Sequence, residues 1–413
     1  MTIIPICFYM KGSVIMHIPS KRVHNEMKAE DGSLWYVPAN GGKELALLIK
    51  MPTNSIKALI SGCSMSLTFG KHDRILCRGV KIQDIPDSSV SISGVQKVLE
   101  EHYALIRALK EITLPIFLFN EMDVCLAWTN AKLTSDSNKS LDSIGQPQEL
   151  YVGQFTDEAS HALDCFDFSL DKTRIFQGAH TIPILEIIPT LEEWRVVKNI
   201  FIGNHEHHTI DIDEKNEGEI FERIIWATLE SVFPLTLYKC PQVKIGKKTR
   251  ELTDVFSYYT YGSFFIEAKD LSVINAGYSR DIVRCTAGIQ KQVKRAICQL
   301  IGASKAFLRG ETIFDGEGHE LSIERNPPPH CIILITELMH YGDWKNIEIE
   351  LINAMQETGA LFHLLDLREL ITILKGCSGK AERLDYHLIK RCEMFVKTKS
   401  IFIRSRPKSS LHK

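Results

Sequence analysis

Two strand-forming segments joined by one tight turn constrain this chain more than anything else in it. Arg250-Glu251-Leu252-Thr253-Asp254-Val255 places an acidic residue at the head of one apolar run, and Phe264-Phe265-Ile266-Glu267-Ala268-Lys269 closes the next with Glu-x-Lys. Between them, Thr260-Tyr261-Gly262-Ser263 reads as a hairpin turn. Side chains alternate faces along a strand, so Glu267 and Lys269 share one face while Ala268 takes the other. Pairing the strands brings Asp254 alongside. A charged residue on the wrong face of such a sheet is costly, so these charges are expected to have a purpose.

Two carboxylates and an ammonium converging at the end of a hairpin suit metal-dependent hydrolysis of a phosphodiester. Mg²⁺ takes oxygen ligands and is held by one or two carboxylates together with substrate phosphate oxygens. It acidifies a bound water and neutralises charge on the phosphate, and a neighbouring lysine can orient that water. Asp254 and Glu267 are therefore the expected ligands of Mg²⁺ (or Mn²⁺), with the Ala268 carbonyl as a further ligand and Lys269 as the orienting cation. By itself Glu-x-Lys also fits an exposed strand-end ion pair, and a second copy, Glu26-Met27-Lys28, has neither an upstream Asp nor a preceding apolar run.

The flanking sequence adds order. Upstream, 218–230 has apolar residues at 221, 224, 225, 228 and 229, which is helical spacing. A strand-like run, 234–238, follows. After the hairpin, 287–308 reads as a long helix with the stripe Ile289, Val293, Ala296, Ile297, Leu300, Ala303 and Phe307, and beside it a polar line of Gln292, Arg295 and Gln299. Apolar runs at 331–336 and 361–367 read as strands with a helix between them.

This α-β-β-β-α-β order, with Asp254 before the turn and Glu267-x-Lys269 after it, resembles the PD-(D/E)xK nuclease superfamily over roughly residues 215–400. The resemblance rests on the Gly218-x-x-x-Glu222 helix, the Arg250-Glu251-Leu252-x-Asp254 strand, Glu267-x-Lys269, and Gln299-Leu300-x-Gly302-Ala303. Thr253 stands where the superfamily's name has proline. The resemblance implies a restriction-endonuclease-like mixed sheet flanked by helices, and DNA as substrate. It also implies a further acidic group from the first helix (Glu222, with Glu219 one turn away) and Gln299 near the scissile bond. A role in genome defence or mobile-element biology rests on the resemblance alone. An alternative is a non-catalytic nucleic-acid-binding or scaffolding protein that retains the fold.

The formal net charge of −2 gives no global basic field, but charge is uneven. Lys244, Lys247, Lys248 and Arg250 cluster just before the proposed site, and Lys247, Lys248, Arg250, Arg295 and Gln292 are the expected DNA contacts. A second basic run occupies the end of the chain, so 401–413 reads as a basic tail. The 11 cysteines follow no regular spacing, which favours free thiols in a reducing compartment, hence the cytoplasm, over a disulfide framework or zinc knuckle. The apolar start is too short to span a membrane. No organic cofactor is expected, and the sequence leaves the oligomeric state open, a homodimer included.

Residues 1–200 read as a separate α+β domain of recognition or regulatory role, 201–216 as a linker and 217–400 as the nuclease-like domain. In the first domain strand-like runs fall at 45–49, 56–60, 114–120 and 124–128, a helix at 95–109, and a long polar loop at 131–148. His205, Glu206, His207 and His208 are possible ligands but fit solvated linker residues better. Gly246-Lys247-Lys248-Thr249 lacks the upstream glycine of a phosphate-binding loop, and Gly62-Cys63-Ser64-Met65-Ser66 lacks the second glycine of a nucleophile elbow.

Overall fold

The computed structural model describes residues 19–85, 88–111, 113–133, 137–172, 176–203, 207–212, 214, 217–269, 282–325, 327–338 and 342–405. The chain is mixed α/β and divides into two compact units. One runs to Asn199 and includes Asp211–Asp213; the other comprises Ile200–Ile210 and everything from Glu214 onward.

The N-terminal unit opens with helix α1 (Lys21–Ala29), capped by the Ser20 hydroxyl accepting the Val23 N–H. Strands β1 (Ser33–Ala39) and β2 (Glu44–Lys50) follow, then helix α2 (Thr53–Ile60). Three strands with alternating polar and apolar residues come next: β3 (Met65–His72), β4 (Ile75–Ile85) and β5 (Ser88–Gln96). After helix α3 (Leu99–Lys110) come β6 (Thr113–Phe119), β7 (Cys125–Lys132), helix α4 (Ser137–Ile144) and helix α5 (Asp157–Leu170). Short strands β8 (Ile184–Ile187), β9 (Thr190–Leu191) and β10 (Arg195–Val196) complete the unit. One sheet has the order β1-β2-β6-β7-β10, with β9 also on β7; the other runs β5-β4-β3-β8.

Three expectations fail in this unit, each for a tertiary reason. The run 56–60 is helical, because the Glu121 carboxylate accepts both the N–H and the hydroxyl of Thr53 and so caps α2 from a distant loop. The start of the expected helix 95–109 belongs to β5, where Val95 pairs with Cys77. The expected loop 131–148 contains α4, whose Ser140 and Ile144 are buried one turn apart.

In the second unit, strands β11 (Asn199–Ile202) and β12 (His207–Ile210) pair in a two-stranded sheet. The stretch 201–216 therefore carries structure where a linker is expected. Helix α6 (Glu217–Leu229) leads to β13 (Leu237–Lys239), β14 (Gln242–Ile245), β15 (Lys248–Glu251), β16 (Val255–Tyr259) and β17 (Gly262–Lys269). The long helix α7 (Ile282–Leu308), β18 (Ile313–Phe314), β19 (His330–Ile335), α8 (Lys345–Thr358), β20 (Leu361–Asp366), α9 (Leu367–Cys377) and α10 (Ala381–Thr398) follow. The central sheet has the order β13-β16-β17-β19-β20, and β15-β14-β18 forms a second small sheet. β16 and β17 are antiparallel, whereas β17, β19 and β20 run parallel. Ile289, Val293, Ala296, Ile297, Leu300, Ala303 and Phe307 form the buried stripe by which α7 joins the core with Phe265, Cys331 and Ile333. Each fully buried Leu, Ile or Phe there is worth roughly 1.5–3 kcal/mol in transfer from water.

The basic tail is also corrected. Ile401 is buried, the Arg404 guanidinium forks onto both Asp366 oxygens at 2.6 Å, and the Ser405 N–H donates to Glu369. Burial alone would raise Asp366, but Arg404 outweighs it and holds the carboxyl below its usual range. Two buried carboxylates thus draw 401–405 onto the sheet's edge; 406–413 lie outside the described residues.

Candidate active site at the end of a hairpin

The ladder between β16 and β17 runs from Tyr259–Gly262 to Val255–Ile266. Asp254 is the next residue, and its Oδ2 accepts the Ala268 N–H at 2.7 Å. The Thr253 hydroxyl donates to the Ile266 carbonyl at 2.9 Å, so a side chain continues the pairing where the backbone ladder ends. Arg250–Val255 is accordingly not one strand. β15 ends at Glu251 in the small sheet, and the chain crosses to the central sheet through 252–254.

Alternation along β17 puts Glu267 and Lys269 on one face. Lys269 Nζ lies 2.6 Å from Glu267 Oε2 and 3.6 Å from Asp254 Oδ2. Glu267 is only 2 % exposed. Its burial, and then the Asp254 charge, push its carboxyl up to about 6. Burial works against a charged Lys269, but the hydrogen bond to Glu267 and the two carboxylate charges overcome it and raise the ammonium's pKa. A residue's N–H and C=O leave a strand on the same edge. The Ala268 carbonyl therefore faces the edge where its N–H meets Asp254, beyond the last pair of β16.

Further acidic groups surround this set. Glu251, exposed at the end of β15, is raised by partial desolvation and then by Asp254 and Glu222. The Cys240 thiol is pushed up to about 11 by burial, then by Glu251, Asp254 and Glu222. Cys240 occupies the left-handed region (φ 45°) and donates its N–H to the Asp254 carbonyl at 2.9 Å. Sequence reasoning missed both as members of the site. Glu251 sits next to the motif and was open to discovery there, whereas nothing local marks Cys240. The two helix acids also separate. Glu222 pairs with Lys239 at 3.2 Å and adds to the negative field of the site, while Glu219 is bound to Arg223.

The remaining expected residues are more dispersed. Arg295 and Gln299 are exposed on α7 and Gln292 is half-buried. Among the described residues no hydrogen bond joins either glutamine to Asp254, Glu267 or Lys269. Lys248 and Arg250 are exposed on β15, and Lys247 is exposed in the turn before it. A methyl group at Gly302 would lie 3.6 Å from Arg250 Nη2, so Arg250 reaches across to α7.

In the linker motif, His205 and Glu206 lie outside the described residues, His207 is exposed, and His208 is buried with its ring 6.3 Å from that of Trp226. A different set of ligand types, His72, His161, Cys165 and His180, gathers in the N-terminal unit. No described helix is long and apolar enough to cross a membrane. Comparison with protein-family models, characterised proteins and solved structures finds no match.

Proposed function

We propose that this chain is a Mg²⁺-dependent endonuclease that hydrolyses phosphodiester bonds in DNA, with a restriction-endonuclease-like C-terminal unit. The observation that carries the reading is the convergence of Asp254, Glu267 and Lys269 at the open end of the β16–β17 hairpin, with Nζ 2.6 Å and 3.6 Å from the two carboxylates. Support comes from the order of elements: α6, β13, β16, β17, α7 and β19, with two antiparallel strand pairs leading into a parallel one.

The donor set fits a hard divalent cation. Two carboxylates and a strand carbonyl are oxygen ligands, and the Glu267 carboxyl is raised first by its burial and then by the neighbouring Asp254 charge. Asp254, Glu267 and the Ala268 carbonyl would hold Mg²⁺ or Mn²⁺; when bound, it supplies charge neutralisation of the phosphate and an acidified water. Lys269 then orients the attacking water and stabilises charge developing on the phosphate oxygens. The Ala268 N–H, donating to Asp254 Oδ2 at 2.7 Å, holds that carboxylate in orientation. Glu222 and Glu251 deepen the negative field that attracts the cation. Lys247, Lys248 and Arg250, with Arg295, Gln292 and Gln299 on α7, provide phosphate and groove contacts on either side. Nine described cysteines are free thiols, which suits work in the cytoplasm.

Incubating the full-length protein with supercoiled plasmid, with and without Mg²⁺ or Mn²⁺, tests this. Nicked or linear product is expected with either metal and none without. Asp254→Ala should remove all metal-dependent cleavage. Cleavage that survives in a clean Asp254→Ala preparation would remove the site; binding with no cleavage in either metal would leave a non-catalytic nucleic-acid-binding protein.

A further inference from the structure

The N-terminal unit contains a second, chemically different convergence. His161 and Cys165 lie four residues apart on α5, so they share one face. His72 is the last residue of β3, just before the tight turn into β4, and His180 lies on the segment leading to β8. One ligand atom from each of the four lies within 4.8 Å of all the others. The Cys165 Sγ is 3.7 Å from His161 Nε2 and 3.6 Å from His180 Nδ1.

These separations match a known geometry. With Zn–S near 2.3 Å and Zn–N near 2.0–2.1 Å at tetrahedral angles, sulfur and nitrogen ligands of one zinc lie about 3.6 Å apart. The scaffold holds the ligands in register by itself. The Ser169 hydroxyl donates to the Cys165 carbonyl at 2.7 Å and accepts the Ile182 N–H at 2.8 Å, tying the His180 segment to α5. Ala159, Ala162 and Phe166 pack α5 onto Ile75 and Cys77 of β4. The Asp73 carboxylate lies 3.5 Å from His72 Nδ1.

We propose that His72, His161, Cys165 and His180 bind a structural Zn²⁺ that clips α5, the end of β3 and the segment before β8 together. Three imidazoles and a thiolate are borderline-soft donors that favour zinc over magnesium. Four protein ligands complete a tetrahedron and leave no open position for substrate, which makes the site structural. The Cys165 side chain is fully buried, which favours a ligand over a nucleophile.

The test uses the full chain, stripped with chelator and titrated with ZnCl₂ by calorimetry and with CoCl₂ by absorbance. The expected result is one ion per chain, tetrahedral Co²⁺ bands, and a thiolate-to-cobalt charge-transfer band that Cys165→Ser abolishes. His180→Ala, at the most exposed ligand, should weaken Zn²⁺ binding more than about tenfold while the metal-free far-ultraviolet spectrum is unchanged; it also serves if Cys165→Ser does not fold. Cys298→Ser, at an exposed cysteine on α7, should change nothing. Absence of stoichiometric binding to wild type, or a charge-transfer band that survives Cys165→Ser, would overturn the site.

Discussion

The two clusters differ in how the chain builds them. Asp254, Glu267 and Lys269 come from a single hairpin, and one backbone register brings them together. His72, His161, Cys165 and His180 come from a strand end, a helix and an extended segment, and only tertiary packing gathers them. Their chemistry diverges as well. The hairpin set has hard oxygen donors and an ammonium, and ionisation of its buried Glu267 is disfavoured, whereas the other set has nitrogen and sulfur donors in closed geometry. On the proposed reading the first set exchanges metal, water and substrate at an open strand edge, and the second serves as a clip.

Exchanging the metals sharpens this contrast most strongly. Asp254→Ala or Glu267→Ala should abolish cleavage, by a thousandfold or more on the order of magnitude of lost metal catalysis, with Zn²⁺ content and fold unchanged. Chelation should remove both metals. Zn²⁺ at about a hundredfold excess over Kd should restore about 2.7 kcal/mol, a rise in Tm of roughly 5–10 °C, without restoring cleavage. Mg²⁺ with zinc present should then restore cleavage. If Mg²⁺ alone recovered the full Tm, the division of labour would be wrong.

A smaller effect comes from Glu267. Its carboxyl is raised to about 6 in the folded chain, so the folded state binds that proton more tightly than the unfolded state between the ordinary carboxylate range and about 6. The stability it contributes is present at low pH and lost as pH rises through about 6. Without metal, Glu267→Gln should therefore gain stability relative to wild type as pH rises from about 4 to 7, set against the loss of its ion pair with Lys269. Denaturant melts at the two pH values measure this. Equal stabilities at both would mean that Lys269 already neutralises the carboxylate completely.

The smallest effect belongs to α7. Gln299 is exposed, so Gln299→Ala should shift stability by no more than about 0.5 kcal/mol while lowering cleavage a few-fold. Gln292, about 10 Å further along at 1.5 Å per residue, should matter less. A larger loss of cleavage in Gln292→Ala would reverse the placement of α7 against DNA.

Local spacing is what made parts of this molecule legible. The hairpin, the α7 stripe and the runs that became β19 and β20 are all set by residues close in sequence, where period and turn chemistry act directly. What failed was fixed from afar. The helix at 53–60 depends on the Glu121 cap, the path through 252–254 depends on a second sheet, and the tail depends on Asp366 and Glu369 needing donors. Irregular cysteine spacing argued against zinc, yet the His-x-x-x-Cys pair on α5 was a readable half of the four-ligand set. Its partners at 72 and 180 had no local signature.

Lys269 tests the central claim most directly, because a catalytic ammonium and a buried structural ion pair predict different outcomes. Acting on the water and the developing phosphate charge, it should contribute to turnover more than to DNA affinity. Lys269→Ala should therefore bind DNA in Ca²⁺ as tightly as wild type and fail to cut in Mg²⁺, on one preparation with its Tm measured. A variant that melts lower but cuts plasmid at the wild-type rate would contradict the nuclease assignment.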